Sequence, residues 1–330
     1  MRLLRLIICG ILFILISAGY PVISQAEQKD TVPFAKPVDP IDTIIEAFNT
    51  YNVVAISDGT DHGDIQGHKF RMALLNDPRF PKVVNDIVVE CGSSLYQGIM
   101  DRFINGEKVT YSELKIVWEK TTQPPFVWNS PIYYEFFKAV RNLNVTLPED
   151  QKIRVLLGDP PVDPERQSKE DYIIMLGQRD IYPADLIERE VIARSRHVLV
   201  VYGGMHLIRK PLYYPADDPS TEKSLNYHGP STFSIVEILE SKEIRVFSIW
   251  WNTNDELIPL QPNIASWKNP SLTLVKNTVL GISPFTTVYP YKISYTRIND
   301  KGQKVSGSTV ADPDRSGLIQ EQFNAIIVVN

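Results

Sequence analysis

The feature that most constrains the fold is a series of short apolar runs rich in β-branched residues. Near-continuous apolar runs of this length are typical of strands buried on both faces of a parallel sheet. The segments between them repeat apolar residues at helical spacing, and alternating strands and helices predict an α/β fold with a largely parallel central sheet flanked by helices. The predicted strands are 52–57, 86–90, 153–158, 197–202 and 244–249, and the predicted helices are 41–51, 63–76, 93–105, 131–144 and 182–195.

Two regions depart from this alternation. Residues 210–231 are polar and rich in Pro and Tyr, which is typical of a surface insertion. From Pro270 onward the pattern is more β-like, and a strand over 291–297 followed by turn residues at 299–302 predicts a hairpin. We therefore expect a single α/β domain over 41–330 with a small β-rich C-terminal extension.

Residues 1–26 have the order of a secretory signal peptide, with two arginines, an apolar run over 6–16 and small residues before Ala26. We expect cleavage after Ala26 and a periplasmic or secreted protein without stable membrane insertion. The alternative is an uncleaved anchor, because the apolar run is near the short limit for crossing a bilayer. Residues 27–40 form a Pro-rich polar leader, which we expect to be a tether ahead of the fold.

Composition and motifs narrow the function classes. The net charge is −5 and no dense basic patch occurs, which argues against nucleic acid as a partner and favours a small-molecule ligand or substrate. Cys91 is the single cysteine outside the signal peptide, so no internal disulfide is expected. The neighbouring Glu90 disfavours a thiolate and hence a catalytic cysteine. The chain has no Gly-x-Ser-x-Gly motif, which argues against a serine hydrolase.

Polar clusters follow four of the predicted strands. Because ligands of open α/β sheets bind beyond the carboxyl ends of the strands, we expect these clusters to share one cleft. Their histidines and carboxylates suit acid–base chemistry or a divalent metal. Taken singly, each has a structural explanation, such as a turn at Asp58, a helix cap at Asp61 or a solvated charge at Glu90; their coincidence favours a site. The clusters are 58–63, 90–93, 158–163 and 203–206.

The stretch from Val53 to Arg71, VVAISDGTDHGDIQGHKFR, resembles the first motif of the erythromycin esterase family. That motif is a strand, a Gly-Glu-x-x-His-Gly turn and an arginine on the next helix; His62 and Arg71 occupy the matching positions. Glu90 stands where the family places a catalytic glutamate. The segment that begins at Arg179, followed by VLVVYGGMHL with its His206, resembles two later motifs. The resemblance covers 53–207, with an uncertain alignment between 101 and 177, and extends to the wider superfamily of ChaN-like haem-binding proteins and Tiki metal-dependent proteases.

The resemblance implies an exported hydrolase that attacks an ester or related bond with activated water. In this interpretation His62 is the general base, and Glu90, with a pKa raised by burial, orients or shares the proton. Arg71 neutralises the anionic intermediate, and His206 is a second acid–base group. The remaining candidates are substrate-binding residues, with His68 the weakest of them: Asp58, Asp61, His68, Asp159, Asp163 and Arg179.

One departure from the family motif leaves alternatives open. Gly59 replaces the glutamate three positions before His62, and either Asp58 or Asp61 could supply the carboxylate, or the site could be degenerate. The hydrolase needs no cofactor. The alternatives are a binding protein for haem or another small ligand, and a metal-dependent peptidase with His62, Glu90 and His206 as ligands.

Overall fold

A seven-stranded sheet forms the centre of the protein, and the predicted apolar runs supply five of its strands. The computed structural model describes residues 32–59, 61–214, 233–290, 292–298 and 303–329. The strand order is β3-β2-β4-β1-β5-β9-β6, and all neighbours are parallel except β9 and β6. The strands are β1 Val53–Ser57, β2 Asp86–Ser93, β3 Arg154–Asp159, β4 Val198–Tyr202, β5 Val246–Thr253, β6 Ser271–Leu274, β7 Lys292–Ile298, β8 Lys304–Val310 and β9 Ala325–Val329.

Helices cover both faces of the sheet, so the predicted α/β class is confirmed. In β1, Val54 and Ile56 enter one core while Val53 and Ala55 enter the other, because successive side chains point to opposite faces. This double burial explains why the middle of these strands is apolar on both faces. The helices are α1 Pro40–Ala47, α2 Ile65–Leu75, α3 Phe80–Val83, α4 Gln97–Ile104, α5 Tyr111–Leu114, α6 Ile116–Glu119, α7 Pro131–Thr146, α8 Lys169–Leu176, α9 Ile181–Glu190, α10 Ile235–Ser241, α11 Asn254–Leu257 and α12 Ile319–Gln322.

Polar caps fix where several helices begin. The Asp64 side chain accepts hydrogen bonds from the backbone N–H groups of Gln66 and Gly67 at the start of α2. Such a cap satisfies donors that have no partner within the helix. Gly59, which follows β1, lies against the Asp64 side chain, so the end of β1 and the start of α2 are close together.

The chain before α1 packs on the domain. The backbone of Val38 exchanges two hydrogen bonds with Leu272 of the edge strand β6, and the buried backbone of Ala35 pairs with the Gln261 side chain. Residues 33–38, the later part of the predicted leader, are therefore docked and not a free tether. The predicted signal peptide, 1–26, lies outside the described residues, as does most of the predicted insertion at 210–231.

The C-terminal segment divides between the main sheet and a separate hairpin. β9 inserts beside β5, with Ile249 opposite Ala325, and thus belongs to the central sheet. β7 and β8 form a two-stranded antiparallel ribbon, and β7 lies within one residue of the strand predicted at 291–297. The predicted turn at 299–302 lies outside the described residues. In the part of the chain that the structure describes, no helix combines the length and apolar character needed to cross a membrane.

Candidate functional site

Three polar turns meet around Gly203, at the carboxyl end of β4. This strand lies between β1 and β2, so the turns that follow all three strands emerge side by side. A Cβ placed on Gly203 would lie 3.2 Å from Glu90 Oε2, 3.4 Å from His62 Cε1 and 3.6 Å from His206 Cδ2. Side chains that are far apart in sequence therefore surround one point, where a Cβ would be tightly packed against the Glu90 carboxylate.

Glu90 is the buried anion of this group. Its Oε2 accepts the Gly203 N–H at 2.7 Å, and its Oε1 lies 2.7 Å from Arg179 Nη2 and 3.4 Å from His206 Nε2. Burial opposes ionisation of this carboxyl, but the positive charges of His206, His62 and Arg179 outweigh it and hold the pKa of Glu90 far below its usual range. The predicted raised pKa of Glu90 is therefore wrong, because the sequence did not reveal the cations around it.

His206 is held as an imidazolium by a carboxylate on its other side. Its Nδ1 lies 2.7 Å from Oδ1 of Asp180, which is fully buried. Burial alone would lower the pKa of His206, yet the negative charges of Asp180 and Glu90 raise it to about 10. At neutral pH the Nε2–H group is consequently a donor that faces Glu90 and Arg179.

His62 occupies the opposite side of the group. Its Nδ1 is 3.6 Å from Asp58 Oδ2, an ion-pair separation longer than a hydrogen bond, and its ring meets the edge of Trp128 at a centroid distance of 4.5 Å. Burial disfavours the charged ring, but the carboxylates of Asp58 and Glu90 prevail and the pKa of His62 is raised above 6.5. His62 is thus a base of increased strength with carboxylates on two sides.

Arg71, the arginine of the first motif, forms an ion pair with Asp58. Arg71 Nη1 lies 2.7 Å from Asp58 Oδ1 and also donates to the Asp58 carbonyl oxygen at 3.1 Å. Both side chains are buried. The guanidinium that contacts Glu90 and His206 is Arg179, so the geometry gives Arg179 the position beside the cleft that the resemblance implied for Arg71.

Gly59 cannot be replaced by the family's glutamate without rearrangement. Its φ is +117°, in the region that side chains disfavour, and a Cβ there would lie 2.5 Å from the Cβ of Asp64. Asp64 caps α2, so the close approach is part of the turn. The carboxylate in this connection that pairs with the His62 ring is that of Asp58.

The other candidates lie outside the group. Asp61 is exposed and accepts the backbone N–H of His62 at 2.8 Å, as expected of a turn residue. His68 pairs with Glu135 of α7 at 3.2 Å. The remaining two carboxylates are engaged elsewhere: Asp159 accepts from Thr122, and Asp163 from Tyr96, Lys120 and Arg166.

Asp159 is a second buried carboxyl with a strongly shifted pKa, in the direction opposite to that of Glu90. It is 3% exposed, and burial raises its pKa to about 7 despite hydrogen bonds from the Thr122 backbone and hydroxyl. Thr122 is in the loop before α7, next to Gln123, whose amide oxygen accepts from Arg179 once the amide is oriented to satisfy both groups. Asp159 therefore anchors the loop that contacts the site.

Sequence reasoning missed several residues of the site. Asp180 lies in the segment that begins at Arg179, but it was not assigned a role, and neither were Gln123, Trp128 and Gly203. Trp128 and Gln123 belong to the connection between α6 and α7, where the resemblance gave no alignment. The sequence offered no local signal for them, since neither follows a strand.

The donor set does not fit the metal alternative. Among the described residues, no group of three or more His, Cys, Asp or Glu side chains is arranged to hold a metal ion. The Arg179 guanidinium lies against Glu90 and His206, where a second cation would be repelled.

No family model and no curated protein matches the chain. A solved succinoglycan biosynthesis protein is 10% identical, with a TM-score of 0.51 and coverage of 90% of this chain and 94% of that one. A Bacillus cereus protein is 11% identical, with a TM-score of 0.46 and coverage of 90% and 94%. ChaN of Campylobacter jejuni, solved with haem bound cofacially, is 14% identical, with a TM-score of 0.42 and coverage of 66% and 87%. At 10% identity the likeness to the first of these structures shows the fold alone, and haem binding by this chain stays a prediction.

Proposed function

We propose that the protein is an exported hydrolase that cleaves an ester or related acyl bond with a water molecule activated by His62. The observation that carries the proposal is the meeting of His62, Glu90 and His206 around Gly203. A base of raised pKa, a fixed anion and a buried imidazolium at one cleft form a set of groups suited to general acid–base catalysis.

His62 is the proposed general base. Asp58 lies on its Nδ1 side, which leaves Nε2 to take a proton from the water. Glu90 remains ionised and supports the imidazolium that forms in this step. The water oxygen then attacks the carbonyl carbon, and the electron pair of the C=O bond moves to the oxygen.

The charge that develops on that oxygen meets two fixed cations. The His206 Nε2–H group and the Arg179 guanidinium lie 3.4 Å apart on the far side of the cleft. Donors fixed before the reaction stabilise such an oxyanion without reorganisation. As the electron pair returns to re-form the C=O bond and the bond to the leaving oxygen breaks, His206 donates its Nε2 proton to that oxygen. His62 then releases the proton it took to solvent, and His206 regains one from solvent. Arg71 supports the reaction indirectly by holding Asp58.

A screen of p-nitrophenyl esters with short, long and branched acyl groups tests the proposal. We expect His62→Gln to lower kcat about 100-fold or more while leaving the free energy of unfolding nearly unchanged. His68→Gln is the matched control, because His68 pairs with Glu135 outside the group, and it should retain activity. Activity should rise with pH as His62 loses its proton and fall near pH 10 as His206 does. Equal activity of His62→Gln and wild type would refute the assignment.

A further inference from the structure

A small, partly open cavity lies beside the Asp58–Arg71 pair, between the ends of β1 and β2 and helix α7. Its volume is about 10 Å³, the space of a single water molecule. Apolar walls come from Val89, Ile132, Phe136 and Val201, and the polar lining consists of Asp58, Arg71, Glu90, Cys91 and Tyr133. A buried water needs two to four polar partners, and this lining offers acceptors and a donor at close quarters.

The Tyr133 hydroxyl is the group in this cavity that needs a partner. Tyr133 is 4% exposed, and its ring is fixed edge-on against Trp128 at 5.3 Å and 87°. Within the described part of the chain the hydroxyl has no hydrogen-bond partner. Buried hydroxyls are nearly always satisfied by protein or by ordered water, because an unpaired one lowers stability.

The surrounding charges favour a water over an empty space. Asp58 and Glu90 are buried carboxylates with lone pairs to fill, and Arg71 is a buried guanidinium already fixed by Asp58. A water that accepts from Tyr133 can donate both of its protons to carboxylate oxygens. Such a bridge satisfies the hydroxyl and the anions together.

We propose that one water molecule occupies this cavity and joins the Tyr133 hydroxyl to Asp58 and Glu90, which makes Tyr133 a positioning residue for His62. The water site stands on the cavity and the unpaired hydroxyl, whereas its catalytic meaning rests on the proposed hydrolase. Tyr133 does not touch the substrate side of His62 in this scheme.

The water bridge lowers the affinity of His62 for its proton. The charged groups that face His62 are Asp58 and Glu90, which favour its proton, and His206, which disfavours it. A donor chain from Tyr133 spreads the negative charge of the two carboxylates. Without it, the carboxylates hold the His62 proton more tightly, and less of the neutral base is present near pH 7.

Histidine NMR titrations of Tyr133→Phe and of the control Tyr134→Phe test the proposal without substrate. Tyr134 is the next residue of α7 and packs against Tyr111 and Phe103, outside the cavity. We expect Tyr133→Phe to lower the neutral fraction of His62 about fivefold at a pH below its midpoint, and Tyr134→Phe to leave it unchanged. High-resolution crystals should show a water in the cavity of the wild type and its loss or displacement in Tyr133→Phe.

A second variant guards against misfolding of the first. Cys91→Val adds a methyl group to the cavity lining, so it should expel the water while the hydroxyl of Tyr133 remains, and shift the His62 titration in the same direction. A dry wild-type cavity, or His62 titrations that coincide in all variants, would overturn the proposal. If the water and the titration shift are found but no ester is cleaved, the water site is supported and the proposed hydrolase is refuted. If esters are cleaved but the cavity is dry, the hydrolase is supported and the water site is refuted.

Discussion

Removing the charge of Asp180 should lower the free energy of unfolding by an amount that depends on pH. Asp180→Asn keeps the shape of the side chain but leaves the buried imidazolium of His206 with Glu90 as its remaining carboxylate partner. The pKa of His206 is raised from 6.5 to about 10, which corresponds to about 5 kcal/mol at 1.36 kcal/mol per unit. Asp180 is the stronger of the two carboxylate influences, so we assign it about 3 kcal/mol of that stabilisation.

The sign follows from linkage. Since the pKa of His206 is higher in the folded than in the unfolded protein, its contribution is complete below pH 6.5 and is lost as the pH rises through about 10. Asp180→Asn should therefore be less stable than wild type by about 3 kcal/mol at pH 6. The difference should shrink steadily between pH 7 and pH 10.

Urea unfolding at pH 6, 8 and 9.5 measures this directly, and NMR can follow His206 among the five histidines. The control is Asp185→Asn in α9, where a half-exposed carboxylate pairs with Lys242 and contributes little. A loss of stability in Asp180→Asn that is the same at every pH would show that His206 is not the protonated partner. An unchanged His206 titration would refute the reasoning outright.

Two further substitutions probe the geometry. Gly203→Ala places a methyl group 3.2 Å from Glu90 Oε2, so we expect at least a tenfold loss of esterase activity with little change in fold, whereas Gly98→Ala, whose Cβ meets nothing within 4 Å, should be silent in the same assay. Between pH 4 and 7.5 the free energy of unfolding of the wild type should fall by up to about 4 kcal/mol as Asp159 ionises. Asp159→Asn should abolish this fall. The wild type loses that stability as pH rises because its folded pKa is raised to about 7; parallel urea curves for the two proteins across this range would contradict this.

The strands, and the position of the polar clusters at their carboxyl ends, could be predicted from the sequence because local pattern determines both. Four of the five residues of β1 are apolar, and the structure buries all five. Strand order could not be predicted, since any permutation of parallel strands buries the same side chains. The insertion of β4 between β1 and β2 is what brings His206 beside Glu90.

The electrostatics of the candidate site depended on contacts that no local pattern encodes. A lone glutamate at a strand end suggests a carboxyl with a raised pKa, but Arg179 and His206 reverse the direction for Glu90. The role of Asp180 is equally non-local, because it acts through His206, 26 residues away in sequence. The resemblance pointed to Arg179, and only the fold distinguished its position from that of Arg71.

The strand order also has a consequence for how the molecule assembles. β1 and β2 are consecutive in sequence but do not touch as strands, because β4, more than a hundred residues later, lies between them. The turns after β1 and β2 can therefore form one site only once β4 has folded between them. A chain that ends before Val198 lacks β4, so the edges of β1 and β2 that pair with β4 stay unpaired and can pair with other chains.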